Sequence, residues 1–241
     1  MMRRFFAPPA QIDGRTVTLS REETRHLKQV LRLKAGDRVE VFDGEGREYL
    51  CEISDVTKSG AALEVIEERE PAAPESLLDL TLAVSIYKND KLDLVVQKAV
   101  ELGVTKLELL VTSRGEIKFR DAGKRTDRFR KIAMEATKQC ERAKVMVVEE
   151  PVTFEDYLSR VDNSRVLLMF SEKDGDAIPA MGDPKKITAL IGPKGGWEDS
   201  EIELAVAKGF VPVKLGRRIM RAETAAITFA ALLQHRFGDL I

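Results

Sequence analysis

The sequence predicts an α/β protein in two parts: a small β-barrel with one helix, then a larger domain on a mostly parallel sheet. Three observations carry this. The first 70 or so residues are short alternating strands at close spacing, the pattern of a small barrel. The stretch "EREPAAPES" breaks that pattern with two prolines and small residues, so residues 71–76 read as a linker between domains 1–70 and 77–241. Beyond it apolar runs alternate with helical periodicity, which implies parallel strands covered by helices on both faces.

Each element has a local reason. "RTVTLS" and "AALEVIEE" alternate, and "DRVEVFDGEGREYLCEISDV" reads as a hairpin turning at Asp43-Gly44-Glu45-Gly46. "REETRHLKQVLRL" is a helix among these strands, with Ser20 and Glu23 at capping-box spacing. After the linker come the strand "LTLAVSIY", the helix "DKLDLVVQKAVEL" closed by Gly103, and the strand "KLELLVT". A basic helix around "DRFRKIAMEATKQCERA" follows, then the strands "RVLLMF", "ITALIG" and "FVPVKLG". The last helix is "ETAAITFAALLQHRF", closed by Gly238.

At 241 residues the chain can bury a core without disulfides or metal. Its two cysteines and two histidines fit neither a disulfide framework nor a metal site, so no metal is expected. No run reaches the roughly 18 apolar residues of a membrane span, and "MMRRFFAPPAQ" lacks the apolar core of a signal peptide, so a cytoplasmic protein is expected. The formal net charge of -1 conceals two basic islands. Residues 1–38 carry nine Lys/Arg against four Asp/Glu, and residues 113–144 carry eleven against five. Such islands suit a polyanion, although charge runs of this kind also occur as plain solvated helix faces.

The stretch "LIGPKGGWEDSEI" carries the strongest chemical signal. Three glycines and a proline stand between a buried strand and a helix that Ser200 and Glu203 could cap. Ligands of open α/β sheets bind at the carboxyl ends of strands, where this loop stands. It matches neither G-x-x-x-x-G-K-[ST] nor G-x-G-x-x-G, so ordinary phosphate or dinucleotide binding is not supported, and taken alone it equally suits a tight turn. One strand later, "VKLGRRIMRAETAAI" brings Gly216, Arg217, Arg218 and Arg221 to a second strand end. The arginines suit RNA phosphate or a uracil oxygen gaining charge, while Arg221 and Glu223 equally suit a structural ion pair.

"KNDKLDLVVQKAVELGVTKLELL", "LIGPKGGWEDSEI" and "LGRRIMRAETAAI", in this order, resemble the bacterial 16S ribosomal RNA (uracil-N3) methyltransferase family, ribosomal RNA small subunit methyltransferase E. "MMRRFFAPP" and "HLKQVLRLKAGDRVEVFDG" resemble the same family's N-terminal domain. The resemblance implies a PUA-like barrel that binds RNA and a SPOUT methyltransferase domain with a C-terminal trefoil knot, a rare exception among folds. It also implies a homodimer, S-adenosyl-L-methionine as cofactor, and a uridine of 16S rRNA in the small ribosomal subunit as substrate.

Carried over residue by residue, the resemblance puts the cofactor on Leu168, Met169, Phe170 and Ser171, on Ile191, Gly192, Gly195 and Gly196, and on Leu215, Gly216, Ile219, Arg221, Thr224 and Ala225. Three positions depart from the family pattern: Lys194 where Glu is usual, Lys138 where Glu is usual, and Met146 in place of a common Pro. Methyl transfer to uracil N3 needs an in-line approach and loss of the N3 proton. Arg221 is the expected electrostatic stabiliser and Glu223 the candidate base or orienting group. RNA contacts are expected from Arg3, Arg4, Arg25 and Arg32 in the barrel, and from Arg114, Lys118, Arg120, Arg128 and Arg142 beyond it. The rival readings are a SPOUT enzyme acting on a ribose 2′-oxygen or another RNA, and a non-catalytic ribosome-assembly factor.

Overall fold

The structure, a computed structural model, describes residues 2–57, 60–87, 91–116, 125–173 and 175–240. It forms two compact units, Met1–Glu75 with Thr137–Val145, and Ser76–Ala136 with Met146–Ile241. Residues 137–145, expected in the second domain from their place in the sequence, fall in the first unit, and their contacts explain why. Arg142 donates to the Glu75 carboxylate at 2.9 and 2.6 Å, Lys138 pairs with the buried Glu23, and the Val145 N–H donates to Gly44 O at 3.0 Å.

The first unit is one six-stranded sheet of β1 (Arg4–Phe6), β2 (Ile12–Asp13), β3 (Thr16–Leu19), β4 (Arg38–Phe42), β5 (Glu48–Val56) and β6 (Ala61–Arg69). Its order is β1-β4-β5-β6-β3-β2, so β1 and β2 remain as edges and the sheet is a curled half-barrel. Only β1 and β4 pair in parallel within it. Register shifts between Leu50 and Cys51 and between Ile53 and Asp55 bend β5, which gives the sheet its curl. The inner face holds Phe5, Val17, Leu19, Leu27, Val39, Val41, Cys51, Ile53 and Leu63.

The β4–β5 turn lies where expected: Asp43 Oδ1 accepts from the N–H groups of Glu45, Gly46 and Arg47, at 2.7, 3.0 and 3.0 Å. The helix after Ser20 is shorter than expected. Ser20 Oγ accepts from Glu23 N at 3.2 Å, but α1 (Arg21–Arg25) then widens into a π-helical turn, His26–Val30, and the chain leaves through Arg32 at φ 56°.

The second unit is a seven-stranded sheet, every pairing parallel. Its elements in chain order are β7 (Asp79–Ser85), α2 (Lys91–Glu101), β8 (Lys106–Val111), α3 (Thr126–Gln139, whose last three residues count with the first unit), β9 (Val147–Val148), β10 (Val152–Thr153), α4 (Phe154–Arg160), β11 (Val166–Phe170), β12 (Lys186–Ile191), α5 (Asp199–Ala207), β13 (Val211–Val213) and α6 (Ala222–Phe237). The order β10-β8-β7-β12-β11-β13 puts β11 between β12 and β13, so three consecutive strand-end loops open side by side. Near-continuous burial along β7 and β12 explains why they read as apolar runs. Helix α6 packs on α2, β7 and β12. Its buried Gln234 donates to Gly103 O at 3.1 Å and accepts from Ser76 Oγ at 2.8 Å, which ties the helix to the end of α2. Among the described residues no helix is long and apolar enough to cross a membrane.

Candidate functional site

The site is built on the loop after β12. Gly192 is buried, and a Cβ on it would meet Trp197 Cε2 and Nε1 at 2.8 Å. The indole that occupies this space donates from Nε1 to Phe170 O at 3.0 Å and stacks on Phe154 with centroids 5.2 Å apart. The loop after β12 is thereby fastened to the end of β11. Gly196 adopts φ 72°, which favours glycine, and a Cβ there would lie 2.6 Å from Glu172 Oε1. The glycines therefore serve a close packing of backbone against Trp197 and Glu172. Helix α5 follows, its start closed by Glu201, whose Oε2 accepts from Glu198 N at 2.9 Å. The expected Ser200–Glu203 pair falls two residues too late, because Glu201 also accepts from Ser113 N at 2.9 Å and is held in place by it.

The two neighbouring loops complete a recess. Ser171 N donates to Val213 O at 2.9 Å, which joins the ends of β11 and β13. The recess is lined by Phe170, Glu172, Ile191, Gly192, Pro193, Lys194, Gly196, Trp197, Met220, Ala222 and Ala225. Its free volume is only about 20 Å³, so a heterocycle enters only if the loops part; the contacts it would then meet are aromatic and aliphatic walls, backbone hydrogen-bonding groups and the Glu172 carboxylate.

Helix α6 begins at the recess. Arg221 is its N-cap residue, with its carbonyl accepting from Ala225 N at 2.8 Å and its side chain exposed. Glu223 in the first turn meets Lys91 Nζ at 2.6 Å. Burial pushes the Glu223 carboxyl up, but hydrogen bonds from Lys91 and its own N–H, with the charges of Lys91 and Arg221, hold it below the ordinary carboxylate value. Tyr87, just past β7, is buried with no hydrogen-bond partner for its hydroxyl among the described residues. Burial, reinforced by the Glu223 charge, pushes that phenol up and keeps it a neutral donor.

The residues singled out from sequence fall into groups. Phe170, Ile191, Gly192, Gly196 and Ala225 line the recess. Leu168 and Met169 lie fully buried within β11, one strand register below the loops. Ser171 is buried and joins two loops, while Gly195, Leu215, Gly216, Ile219, Arg221 and Thr224 are outside the lining. Ile219, 83 % exposed, is the most open large apolar side chain among the described residues. Pro193, Lys194, Met220 and Ala222 fall inside the loops 191–196 and 215–225 that the family resemblance marks, whereas Glu172, Trp197, Lys91 and Tyr87 were missed. For Trp197 the signal was its place next to the glycine run. For Tyr87, a phenol at a strand's carboxyl end was the only hint.

Two arginines chosen as RNA contacts are internal, which corrects that expectation. The Arg4 side chain is 6 % exposed, paired with Glu48, donating to Arg142 O at 3.0 Å and stacked over Phe42. The Arg142 side chain is equally closed off and bound to Glu75. A guanidinium this deeply buried and matched to a carboxylate is out of a phosphate's reach. Arg3, Arg25 and Arg32 are exposed in the first unit, and Arg128, paired with Asp93, is exposed in the second. Lys118 and Arg120 lie outside the described residues.

A larger cavity of about 270 Å³ opens at the opposite, amino ends of the strands, between Lys106, Glu108, Tyr157, Arg160 and Arg165. Among the described residues its wall has no glycine, and it lies away from the strand ends where ligands of parallel sheets are held.

A half-barrel followed by a parallel sheet with three converging carboxyl-end loops is the architecture of an RNA methyltransferase domain preceded by a PUA domain. Residues 74–234 match the RNA methyltransferase domain family, and residues 19–66 match the RNA methyltransferase PUA domain family. The chain is 34% identical over 232 residues to the ribosomal RNA small subunit methyltransferase E of Synechocystis sp., covering 93% of this chain and 75% of that relative. With the Rickettsia conorii protein of the same name it is 35% identical over 216 residues, covering 88% and 86%. A crystal structure of a ribosomal RNA small subunit methyltransferase E from Neisseria gonorrhoeae bound to S-adenosyl methionine matches at TM-score 0.92 and 32% identity, over 100% of both chains. The chain belongs to the ribosomal RNA small subunit methyltransferase E family.

Proposed function

We propose that this protein methylates N3 of a uridine in 16S rRNA of the small ribosomal subunit, with S-adenosylmethionine held by the three loops after β11, β12 and β13. The observation that carries the reading is their convergence on one recess in a chain that matches a cofactor-bound relative along its whole length. Bound there, the cofactor supplies an electrophilic methyl group on a sulfonium. Ile191, Gly192, Gly196 and Ala225 offer backbone and small side chains to its heterocycle, and the Glu172 carboxylate complements its positive charge. A trefoil-knotted C-terminal segment, a homodimer and a cytoplasmic location belong to the same reading.

The chain's own groups account for the remaining chemistry. Uracil N3 gives up its proton to solvent, which leaves negative charge on the uracil oxygens, and it then takes the methyl carbon as the carbon–sulfur bond breaks and a neutral thioether leaves. Arg221 and the positive end of α6 stand at the mouth of the recess to stabilise that charge. Glu223, held ionised by Lys91, is a weak base and acts as an orienting carboxylate. Arg3, Arg25, Arg32 and Arg128 are the exposed cations for phosphate.

The test is methyl incorporation from labelled S-adenosylmethionine into small ribosomal subunits, naked 16S rRNA and transfer RNA. Incorporation into the small-subunit RNA supports the reading. Cofactor binding with label only in transfer RNA would move the substrate, and no cofactor binding would favour an assembly factor.

A further inference from the structure

We propose that Arg114 is a positioning residue for the cofactor loop, reaching it from outside the recess, and is not a contact for RNA. The inference rests on the reading of the recess as the cofactor site.

Arg114 stands beyond the carboxyl end of β8, three residues after Val111. Its guanidinium turns onto the loop after β12: Nε and Nη2 donate to the Glu198 carboxylate at 2.6 and 2.9 Å, and Nη1 donates to Gly195 O at 3.0 Å and Trp197 O at 3.4 Å. Four of its five N–H donors are committed to one short segment, which leaves little for a phosphate. The stem of the side chain lies over Gly195, where a Cβ would come within 3.4 Å of Arg114 Cδ. The preceding residue fastens the helix that follows the loop, because Ser113 N donates to Glu201 in the first turn of α5.

The chemistry explains why such a brace is needed. A loop with glycine at 192, 195 and 196 exposes backbone to a ligand but is conformationally loose. Its geometry must be set by contacts from elsewhere. Trp197 sets it from the core side, and Arg114 sets it from the solvent side by holding the carbonyls of Gly195 and Trp197. Since apparent affinity scales with the fraction of protein in the binding-competent form, a loop ordered only a tenth of the time binds about tenfold more weakly. The Arg114 and Glu198 side chains are 37 % and 41 % exposed, so the pair adds little to global stability.

Trp197 is the only tryptophan in the chain and sits inside the braced loop, so its fluorescence reports the loop without any cofactor. The experiment compares the full-length protein with Arg114→Ala, Arg114→Lys, and the charge exchange Arg114→Glu with Glu198→Arg. It measures acrylamide quenching of Trp197, S-adenosylmethionine affinity by calorimetry, small-subunit binding by filter retention, and melting temperature. For Arg114→Ala we expect quenching increased about twofold and cofactor affinity lowered about tenfold. Small-subunit affinity should stay within twofold and melting within about 2 °C. Lys, which lacks the planar fork, should recover little, and the charge exchange should recover part of the quenching protection. Unchanged quenching in Arg114→Ala would overturn the proposal whatever the cofactor does. Unchanged quenching with weakened subunit binding would return Arg114 to the RNA surface. If quenching responds but even the unaltered protein fails to bind S-adenosylmethionine, the brace stands as loop architecture, and the cofactor role proposed for it is overturned with the cofactor reading.

Discussion

Gly192→Ala is the sharpest perturbation of the recess. The added methyl would lie 2.8 Å from two atoms of the Trp197 indole, and Gly192 has no left-handed φ, so the penalty is contact alone. The indole cannot move aside freely. It is 4 % exposed, stacked on Phe154, and its N–H is fixed to Phe170 O at 3.0 Å. Overpacking of this kind costs about 1–3 kcal/mol. Loss of the indole hydrogen bond adds about 1 kcal/mol. The sum, about 2–4 kcal/mol, corresponds to a melting temperature lowered by roughly 4–16 °C for a protein of this size. Because the contact links the ends of β11 and β12, the Trp197 emission should also shift to the red and cofactor affinity should fall at least about tenfold. Gly216→Ala is the control: its φ is 75° but nothing lies within 4 Å of the added Cβ, so only backbone strain of about 1–2 kcal/mol is expected. Calorimetric melting and fluorescence of both variants decide the matter. If Gly192→Ala melts within about 1 °C of the parent with unchanged emission, the packing of Trp197 on Gly192 does not hold the loop.

Three further outcomes are expected. Burial raises the Glu108 carboxyl above its ordinary value, with Lys106 and Arg160 pulling the other way, and its Oε2 is buried without a hydrogen bond. A raised folded value means that its contribution is fully present below about pH 4.5 and is lost as pH rises through the folded value. Glu108→Gln should therefore be more stable than the parent near neutral pH, by about 1 kcal/mol, with the gain vanishing in acid; melting curves across pH would expose an error in sign. If the Lys91–Glu223 pair orients the start of α6, Lys91→Met and Glu223→Gln should each lower kcat about tenfold, and the double variant should be no worse than the poorer single, a non-additivity that kinetics can measure. Arg25→Ala should weaken small-subunit binding and flatten its salt dependence by about one unit of slope, whereas Arg4→Ala should chiefly destabilise the protein, leaving Glu48 buried without its partner; binding titrations and melting curves separate the two.

Much of this architecture is legible in the sequence because local chemistry and tertiary environment agree. The apolar runs at Asp79–Ser85 and Lys186–Ile191 are strands buried on both faces, and Asp43 organises its turn through its own side chain. Legibility fails where a distant partner decides. Charge alone could not separate Arg4 and Arg142, matched to Glu48 and Glu75, from the exposed Arg25. Local spacing favoured Ser200 as a cap, but Ser113 recruits Glu201 and moves the start of α5. The helix Phe154–Arg160 was not expected at all; it is only seven residues long, too short for a clear period, and Thr153 is its one local signal, with Oγ1 accepting from Asp156 N at 3.1 Å. The glycine loop was located correctly, yet the reason for two of its glycines is the protein's own Trp197 and Glu172, which no local pattern reveals.

The central claim is the identity of the methylated atom, and nucleoside mass analysis of 16S rRNA from small subunits incubated with this protein and S-adenosylmethionine tests it most directly. The expected product is 3-methyluridine, absent when Arg221→Ala replaces the parent protein at equal cofactor saturation. A ribose-methylated nucleoside in its place, or no methylated product from subunits that bind a cofactor-loaded protein, would contradict it.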